Sequence, residues 1–223
     1  MPFLPETIGF LTRNRIQNSR EWFREHQDEY IQYVVKPLVK MIESLRETLR
    51  EIDPLLICEP KIGKSLSRIY RDTRFSRDKS IFRDHMWCVF MREKKLYDGS
   101  PGFFFEITPE GFDYGCGWYQ ADRKTMNRIR EMVVRRERKW QNADRSYRQQ
   151  NVFTMEGDLY KRSPCPELNE RQRNWTDRKN ICFICAKSDF NQLFATDLAA
   201  IIAANFRLLE SIYRFLLEAK MMK

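Results

Sequence analysis

The chain contains few of the residues that build the commonest catalytic and metal sites. It has two histidines and eight glycines among 223 residues, and its six cysteines are scattered. It has no glycine-rich phosphate loop, nucleophile elbow or dinucleotide fingerprint. Cys182 and Cys185 are the most closely spaced thiols, but structural zinc needs four ligands and no second pair has ligand spacing. The sequence therefore predicts neither a bound metal nor a cofactor.

Long uncharged apolar runs are also missing. The most apolar stretch, residues 198–217, is interrupted by two arginines, an asparagine and a glutamate, which is unlike a membrane span. The first ten residues contain Glu6 and two prolines and lack the basic start of a secretory signal. We therefore expect a cytoplasmic protein with no membrane partner, in which the cysteines are free thiols that serve as small core residues.

The positive charge of the chain is concentrated in two segments. The net charge is +9. Residues 61–95 contain eleven Lys or Arg and four Asp or Glu, and residues 122–148 contain ten Lys or Arg and four Asp or Glu. The net charge of the rest of the chain is therefore −4. Focused positive charge attracts nucleic acid, nucleotides, phosphorylated metabolites or acidic lipids. The distribution predicts an anionic partner.

Apolar residues recur at helical spacing in three segments. The first predicted helix runs from about Ser19 to Ile52, and Pro37 is expected to kink or divide it. The second begins after an N-cap at Asp122 and ends near Trp140, and the last runs from Thr196 to Ala219. The polar residues 141–177 between them predict irregular structure or short helices.

Elsewhere the apolar residues alternate with a period of two, which predicts strands. The predicted strands are residues 86–91, 102–108, 112–119 and 180–186. The first three are joined by short connections, which favour an antiparallel meander. The sequence thus predicts one α+β domain over residues 1–223, in which an antiparallel sheet around residues 86–119 packs against long N-terminal and C-terminal helices. A subdomain break near residues 120–122 is compatible with this pattern.

The densest group of charges lies between Arg68 and Lys79. Five cations and two carboxylates fall within these twelve residues. Ile69, Tyr70 and Phe75 are interspersed among them and are expected to anchor the segment to the core. Charged groups held beside buried ones indicate a fixed cluster, which is either a structural ion-pair network or an anion site.

Several guanidinium groups at a strand end can clamp a phosphate or a carboxylate. The candidate ligand-binding residues are Arg68, Arg71, Arg74 and Lys79. The candidates for proton transfer are Asp72, Asp78 and His85. In the alternative interpretation, the two aspartates only neutralise the arginines and lock a loop over the sheet. Both alternatives stay open, because functional sites and structural networks gather the same charges.

The same segment resembles the signature of a bacterial family called domain of unknown function 2461. In that signature an Arg, an Arg-Asp pair, an Arg-Phe pair, an Asp/Asn-Lys pair and an aromatic residue occur in this order. The matching positions are Arg68, Arg71, Asp72, Arg74, Phe75, Asp78, Lys79 and Phe82. The family usually has tyrosine at the last position, and often continues with lysine, threonine and histidine or asparagine where this chain has Arg83, Asp84 and His85. The resemblance implies no activity, because the family is uncharacterised.

The leading hypothesis is a cytoplasmic anion-binding protein, either an enzyme or a binding protein, with a site for a phosphorylated or carboxylated small molecule. One alternative is an RNA-binding module that uses the basic segments 61–95 and 122–148. Its stacking surfaces would be Phe103, Phe104, Phe105, Trp118 and Tyr119. The other alternative is a structural or interaction protein without a ligand. The sequence does not fix the oligomeric state.

Overall fold

The computed structural model describes residues 3–74 and 77–221 and has an α+β fold. The chain divides into two compact units. Unit 1 comprises Met1–Phe90, Phe104–Tyr114 and Ala186–Ala203. Unit 2 comprises Met91–Phe103, Gly115–Cys185 and Ala204–Lys223.

The sheet has five antiparallel strands in the order β1-β2-β3-β5-β4. The strands are β1 (Met86–Phe90), β2 (Gly102–Thr108), β3 (Gly111–Gly117), β4 (Thr154–Glu156) and β5 (Cys182–Lys187). The predicted antiparallel meander around residues 86–119 is confirmed, since β1, β2 and β3 are neighbours in sequence order. The predicted strand 180–186 corresponds to β5. The short strand β4, which pairs with β5, lies in a segment predicted to be irregular or helical.

Helices precede, interrupt and follow the sheet. In unit 1 they are α1 (Pro5–Gln17), α2 (Arg20–Glu25), α3 (Gln27–Tyr30), α4 (Lys36–Ile52) and α8 (Phe190–Phe194). In unit 2 they are α5 (Arg123–Val134), α6 (Arg138–Arg148), α7 (Glu170–Thr176) and α10 (Glu210–Met221). Helix α9 (Leu198–Leu208) begins in unit 1 and ends in unit 2. Among the described residues, no helix combines the length and the apolar character that crossing a membrane requires.

The predicted helix 19–52 is helical, but a π-helical turn at Ile31–Val35 interrupts it just before Pro37. Proline has no N–H, so the carbonyl of Tyr33, four residues earlier, lacks its normal helical donor. The hydroxyl of Thr7 in α1 donates to this carbonyl at 2.6 Å. The same hydroxyl accepts from the N–H of Leu4 at 3.2 Å. Thr7 is fully buried, so one buried side chain satisfies two backbone groups.

Replacing Thr7 by Val should therefore destabilise the protein although it keeps the side-chain shape. Two backbone groups would lose their partner, and leaving a buried polar group unsatisfied costs about 1–3 kcal/mol. Chemical denaturation should show this loss in Thr7→Val and a smaller one in Thr7→Ser, which retains the hydroxyl. Equal losses in both variants would contradict the assignment.

Two predicted helices are each divided. The second does begin after an N-cap at Asp122, whose carboxylate accepts from the N–H of Thr125 at 2.8 Å. It ends at Val134 and not near Trp140, because Arg136 takes a left-handed conformation with φ of 51° before α6 begins. The last predicted helix becomes α9 and α10, separated at Leu209.

The terminal helices pack on the sheet within each unit. In unit 1, α4 contacts β1 along the buried stripe that includes Leu38, Ile42 and Leu45. In unit 2, Tyr213 of α10 lies against Phe103 of β2, with ring centroids 5.1 Å apart. This packing confirms the predicted arrangement of sheet and helices. All six cysteines are free, and four of them are buried.

Candidate anion site

The segment after α4 returns alongside β1 and carries the predicted cluster. The N–H of Ser67 donates to the carbonyl of Trp87 at 2.9 Å, and the N–H of Arg83 donates to Ile69 at 2.8 Å. An antiparallel bridge joins Tyr70 to Phe82. Residues beside a bridged pair alternate between the two faces. Ile69, Arg71 and Arg83 therefore share the face opposite to Tyr70 and Phe82.

We call the residues Arg71, Arg83, His85, Trp87 and Glu106 the charged face. They come from this paired segment, from β1 and from β2, and all belong to unit 1. Trp87 is the centre of the group. The guanidinium carbon of Arg83 lies 4.7 Å from the centroid of its ring, and the imidazole of His85 stacks on the ring with centroids 5.4 Å apart.

Arg83 is half-buried and has no counter-charge within ion-pair distance among the residues that the structure describes. Its Nε is fully buried and has no hydrogen-bond acceptor there. Burial lowers the pKa of Arg83, and the nearby positive charge of Arg71 lowers it further, while Glu106 and Asp72 act to raise it. Arg71 is paired with Asp78, so Arg83 is the partly desolvated guanidinium of the two that has no paired carboxylate among the described residues, which is unfavourable without an anion.

His85 lies between two carboxylates. Its Nδ1 is 2.8 Å from Asp84 Oδ1, and its Nε2 is 3.7 Å from Glu106 Oε1. Burial acts to raise the pKa of Asp84, but the hydrogen bond with His85, a backbone hydrogen bond and the charges of His85 and Arg15 together lower it. Asp84 is therefore an ionised group that can orient the imidazole.

Glu106 has the opposite shift. Burial raises its pKa, the positive charges of His85 and Arg83 oppose the increase, and the carboxylates of Asp113 and Asp84 add to it. The imidazole of His85 therefore lies between Asp84, a neighbouring carboxyl with a lowered pKa, and Glu106 of the charged face, a carboxyl with a raised pKa. Such a pair has the components of a proton-transfer site.

The other predicted site residues lie in the exposed loop, and one of them, Asp78, contacts the charged face. Arg71 pairs with Asp78, and Arg74 binds Asp72 through Nε at 3.0 Å and Nη2 at 2.7 Å. The hydrogen bonds from Arg74 lower the pKa of Asp72 to about 2. Lys79 donates to the carbonyl of Thr73 at 3.0 Å.

Asp78 also accepts hydrogen bonds from Ser80, which contribute most to the lowering of its pKa. Arg68 is exposed, and its guanidinium lies over the turn at Gly63. Phe75 of the predicted signature lies outside the described residues. Among the predicted residues, the structure therefore places Arg71 and His85 on the charged face.

The comparison with known families finds one that covers nearly the whole chain. The model of the conserved hypothetical proteins DUF2461 matches residues 6–215. The chain belongs to this family. No curated protein and no solved structure matches it. The recognised signature therefore identifies a DUF2461 protein, and the family description supplies no activity.

In this DUF2461 protein, sequence reasoning missed Glu106, Trp87 and Arg83 as members of the site. Glu106 offered a signal, because it is the one charged residue in the otherwise apolar strand Gly102–Thr108. Trp87 and Arg83 alternate with the buried Met86 and Phe82, so they occupy the less buried face. The sequence alone did not show that β2 brings Glu106 beside His85.

Within residues 3–74 and 77–221, no three His, Cys, Asp or Glu side chains are arranged to hold a metal ion. The aromatic residues considered for stacking on RNA differ in exposure. Phe103, Phe105 and Trp118 are buried in the core, and Tyr119 is 98% exposed. Three of the five rings therefore cannot stack on bases in this conformation.

Proposed function

We propose that this protein binds a small phosphorylated or carboxylated molecule at the charged face, with the acid group of the ligand between Arg71 and Arg83. The protein acts in the cytoplasm in this proposal. The observation that carries it is the half-buried guanidinium of Arg83, which has a second guanidinium nearby and no carboxylate within ion-pair distance among the described residues. A bound oxyanion supplies the counter-charge and the acceptors.

The adjoining groups suit chemistry on the bound ligand. The imidazole of His85, whose Nδ1 is oriented by Asp84, is placed to take a proton from the ligand or give one to it. Glu106 is the neighbouring carboxyl whose burial favours its protonated form. In the proposal, Arg71 and Arg83 hold the ligand while His85 and Glu106 move a proton. If the protein catalyses no reaction, the same two arginines serve to bind the ligand alone.

Arg83→Gln should weaken the binding of inorganic pyrophosphate by roughly 10–100-fold, because charge-assisted hydrogen bonds contribute about 1.5–3 kcal/mol. Calorimetric titration at low salt measures the change. The matched control is Arg123→Gln, which removes the same charge from an exposed position in unit 2. Equal loss in both variants would mean that pyrophosphate responds only to net charge, which would refute the proposed site.

The raised pKa of Glu106 predicts a pH-dependent stability. The folded state binds its proton more tightly than the unfolded state, for which the ordinary value is 4.5. This contribution is present below pH 4.5 and is lost as the pH rises through the raised pKa. The free energy of unfolding of the parent, minus that of Glu106→Gln, should therefore decrease with rising pH in this window. A difference that increases with pH would contradict the assignment.

A further inference from the structure

Unit 2 has a cleft that the proposed function does not use. Its volume is about 730 Å³, and its walls come from α6, from α7 and from the segment after β4. Cavities of roughly 300–1,000 Å³ hold most small-molecule ligands. Four arginines line the cleft, and they outnumber its three carboxylates. These arginines are Arg148, Arg171, Arg173 and Arg178.

Three of these arginines are fixed by protein groups. Arg148 and Arg171 each donate through Nε to the buried carboxylate of Asp144, at 2.9 Å and 2.6 Å. Their Nη groups have no acceptor in the part of the chain that the structure describes. Arg178 donates to the carbonyls of Gly157 and Asn174, at 3.0 Å and 3.1 Å. The fixed geometry keeps these guanidinium groups at the walls of the cleft.

Arg173 is different because it has no ion pair with any described residue. Its Nε is fully buried and lacks an acceptor there. The charge of Asp144 is shared by two other arginines, and Asp177, which accepts from the hydroxyl of Ser163 at 2.7 Å, forms no ion pair with Arg173. The exposed Glu170 is the remaining carboxylate of the cleft. Four guanidinium groups thus face three carboxylates at this concave surface, and Arg173 is the guanidinium that no described carboxylate contacts.

The walls also offer apolar surface beside these charges. Leu159 is 58% exposed and lines the cleft together with the ring of Tyr147. The hydroxyl of Tyr147 accepts from the N–H of Met155 at 3.2 Å, which fixes the ring. An apolar wall beside fixed guanidinium groups is complementary to a molecule with an acid group on a ring or a chain.

We propose that the cleft of unit 2 is a second ligand site, which binds a small molecule that carries a phosphate or carboxylate on an aromatic or apolar body. Arg173 and the free Nη groups of Arg148 and Arg171 bind the oxyanion. Leu159 and Tyr147 contact the body. This site is independent of the charged face, since all its residues belong to unit 2.

Phenyl phosphate, benzoate and inorganic phosphate are the probes, and the intact protein is used. The indole N–H of Trp175 donates to Asp144 at 3.0 Å and reports on the cleft by NMR. Phenyl phosphate or benzoate should shift this signal. The probe that binds more tightly shows whether the site prefers a phosphate or a carboxylate. Arg173→Gln should weaken that binding by roughly 10–100-fold, because it removes the guanidinium that forms no ion pair within the protein and its charge-assisted hydrogen bonds to the ligand.

Leu159→Ser separates the apolar contribution. This substitution should weaken the binding of phenyl phosphate by about fivefold and leave the affinity for inorganic phosphate unchanged. The reason is that only phenyl phosphate has an apolar ring to bury. Arg83→Gln should leave the response of Trp175 unchanged, which keeps this test separate from the charged face. A Trp175 signal that none of the probes moves, or an Arg173→Gln variant with the affinity of the parent, would overturn the proposal. Equal binding of inorganic phosphate and phenyl phosphate would refute the ligand class.

Discussion

Replacement of Asp144 by Ala should lower the free energy of unfolding by about 1–3 kcal/mol, as leaving a buried hydrogen-bond donor without its acceptor does. The side chain of Asp144 is 2% exposed. It accepts from Arg148, from Arg171 and from the indole of Trp175 at 3.0 Å. The arginines can turn to solvent in the variant, but the indole N–H of the fully buried Trp175 would be left without an acceptor.

Asp144→Asn should lose less stability than Asp144→Ala, because the amide oxygen can still accept from Trp175. Asp28→Ala is the control, since Asp28 is an exposed carboxylate in α3, and this change should stay within about 0.5 kcal/mol of the parent. Urea denaturation measures all three variants. A stability of Asp144→Ala equal to that of Asp28→Ala would show that the network does not hold unit 2 together.

Gly157→Ala should destabilise the protein by roughly 3–5 kcal/mol, because two costs combine. Gly157 has φ of +134°, a region that side chains rarely adopt. A Cβ at this position would also overlap the backbone carbonyl oxygen of Asn180. The pairing of β4 with β5, in which Glu156 lies opposite Cys182, fixes this close approach. Backbone atoms cannot rotate away as a side chain can.

Gly9→Ala is the matched control for this substitution. Gly9 lies inside α1, and its added Cβ would meet no atom within 4 Å. Alanine is the better helix former by about 1 kcal/mol, so this variant should equal or exceed the stability of the parent. Thermal denaturation of both variants provides the comparison. A Gly157→Ala variant as stable as the parent would contradict the described β4–β5 approach.

The sheet was predictable because its signals are local. Strand β2 was predicted with its observed bounds, and β1 and β3 within two residues, since alternation and the turns at Asp98-Gly99 and Pro109-Glu110-Gly111 mark their ends. The break between α5 and α6 was not predictable in this way. Arg136 takes a left-handed conformation that usually requires glycine or asparagine, so the residue type gave no warning. Helix α1 was missed although Pro5 stands at its first turn, because its apolar stripe is weak.

The candidate site was predictable only in part, because it is assembled across strands. The signature pointed to the correct segment and to Arg71 and His85. Most of its other charges neutralise each other within the loop, as Arg74 does with Asp72. Glu106 reaches His85 through the neighbouring strand, and Arg83 is distinguished by the lack of a counter-charge within ion-pair distance among the described residues. Contacts of this kind depend on strand pairing, which the local pattern does not determine.

The most direct test of the charged face is an NMR titration with inorganic phosphate that follows the indole N–H signal of Trp87. The chain has five tryptophans, and Trp87→Phe assigns the signal. Because Trp87 lies under Arg83 and beside His85, an oxyanion bound there must change its surroundings. The account predicts a saturable shift in the parent and in Arg123→Gln, and none in Arg83→Gln. A signal that does not move in the parent, or that moves equally in Arg83→Gln, would contradict it.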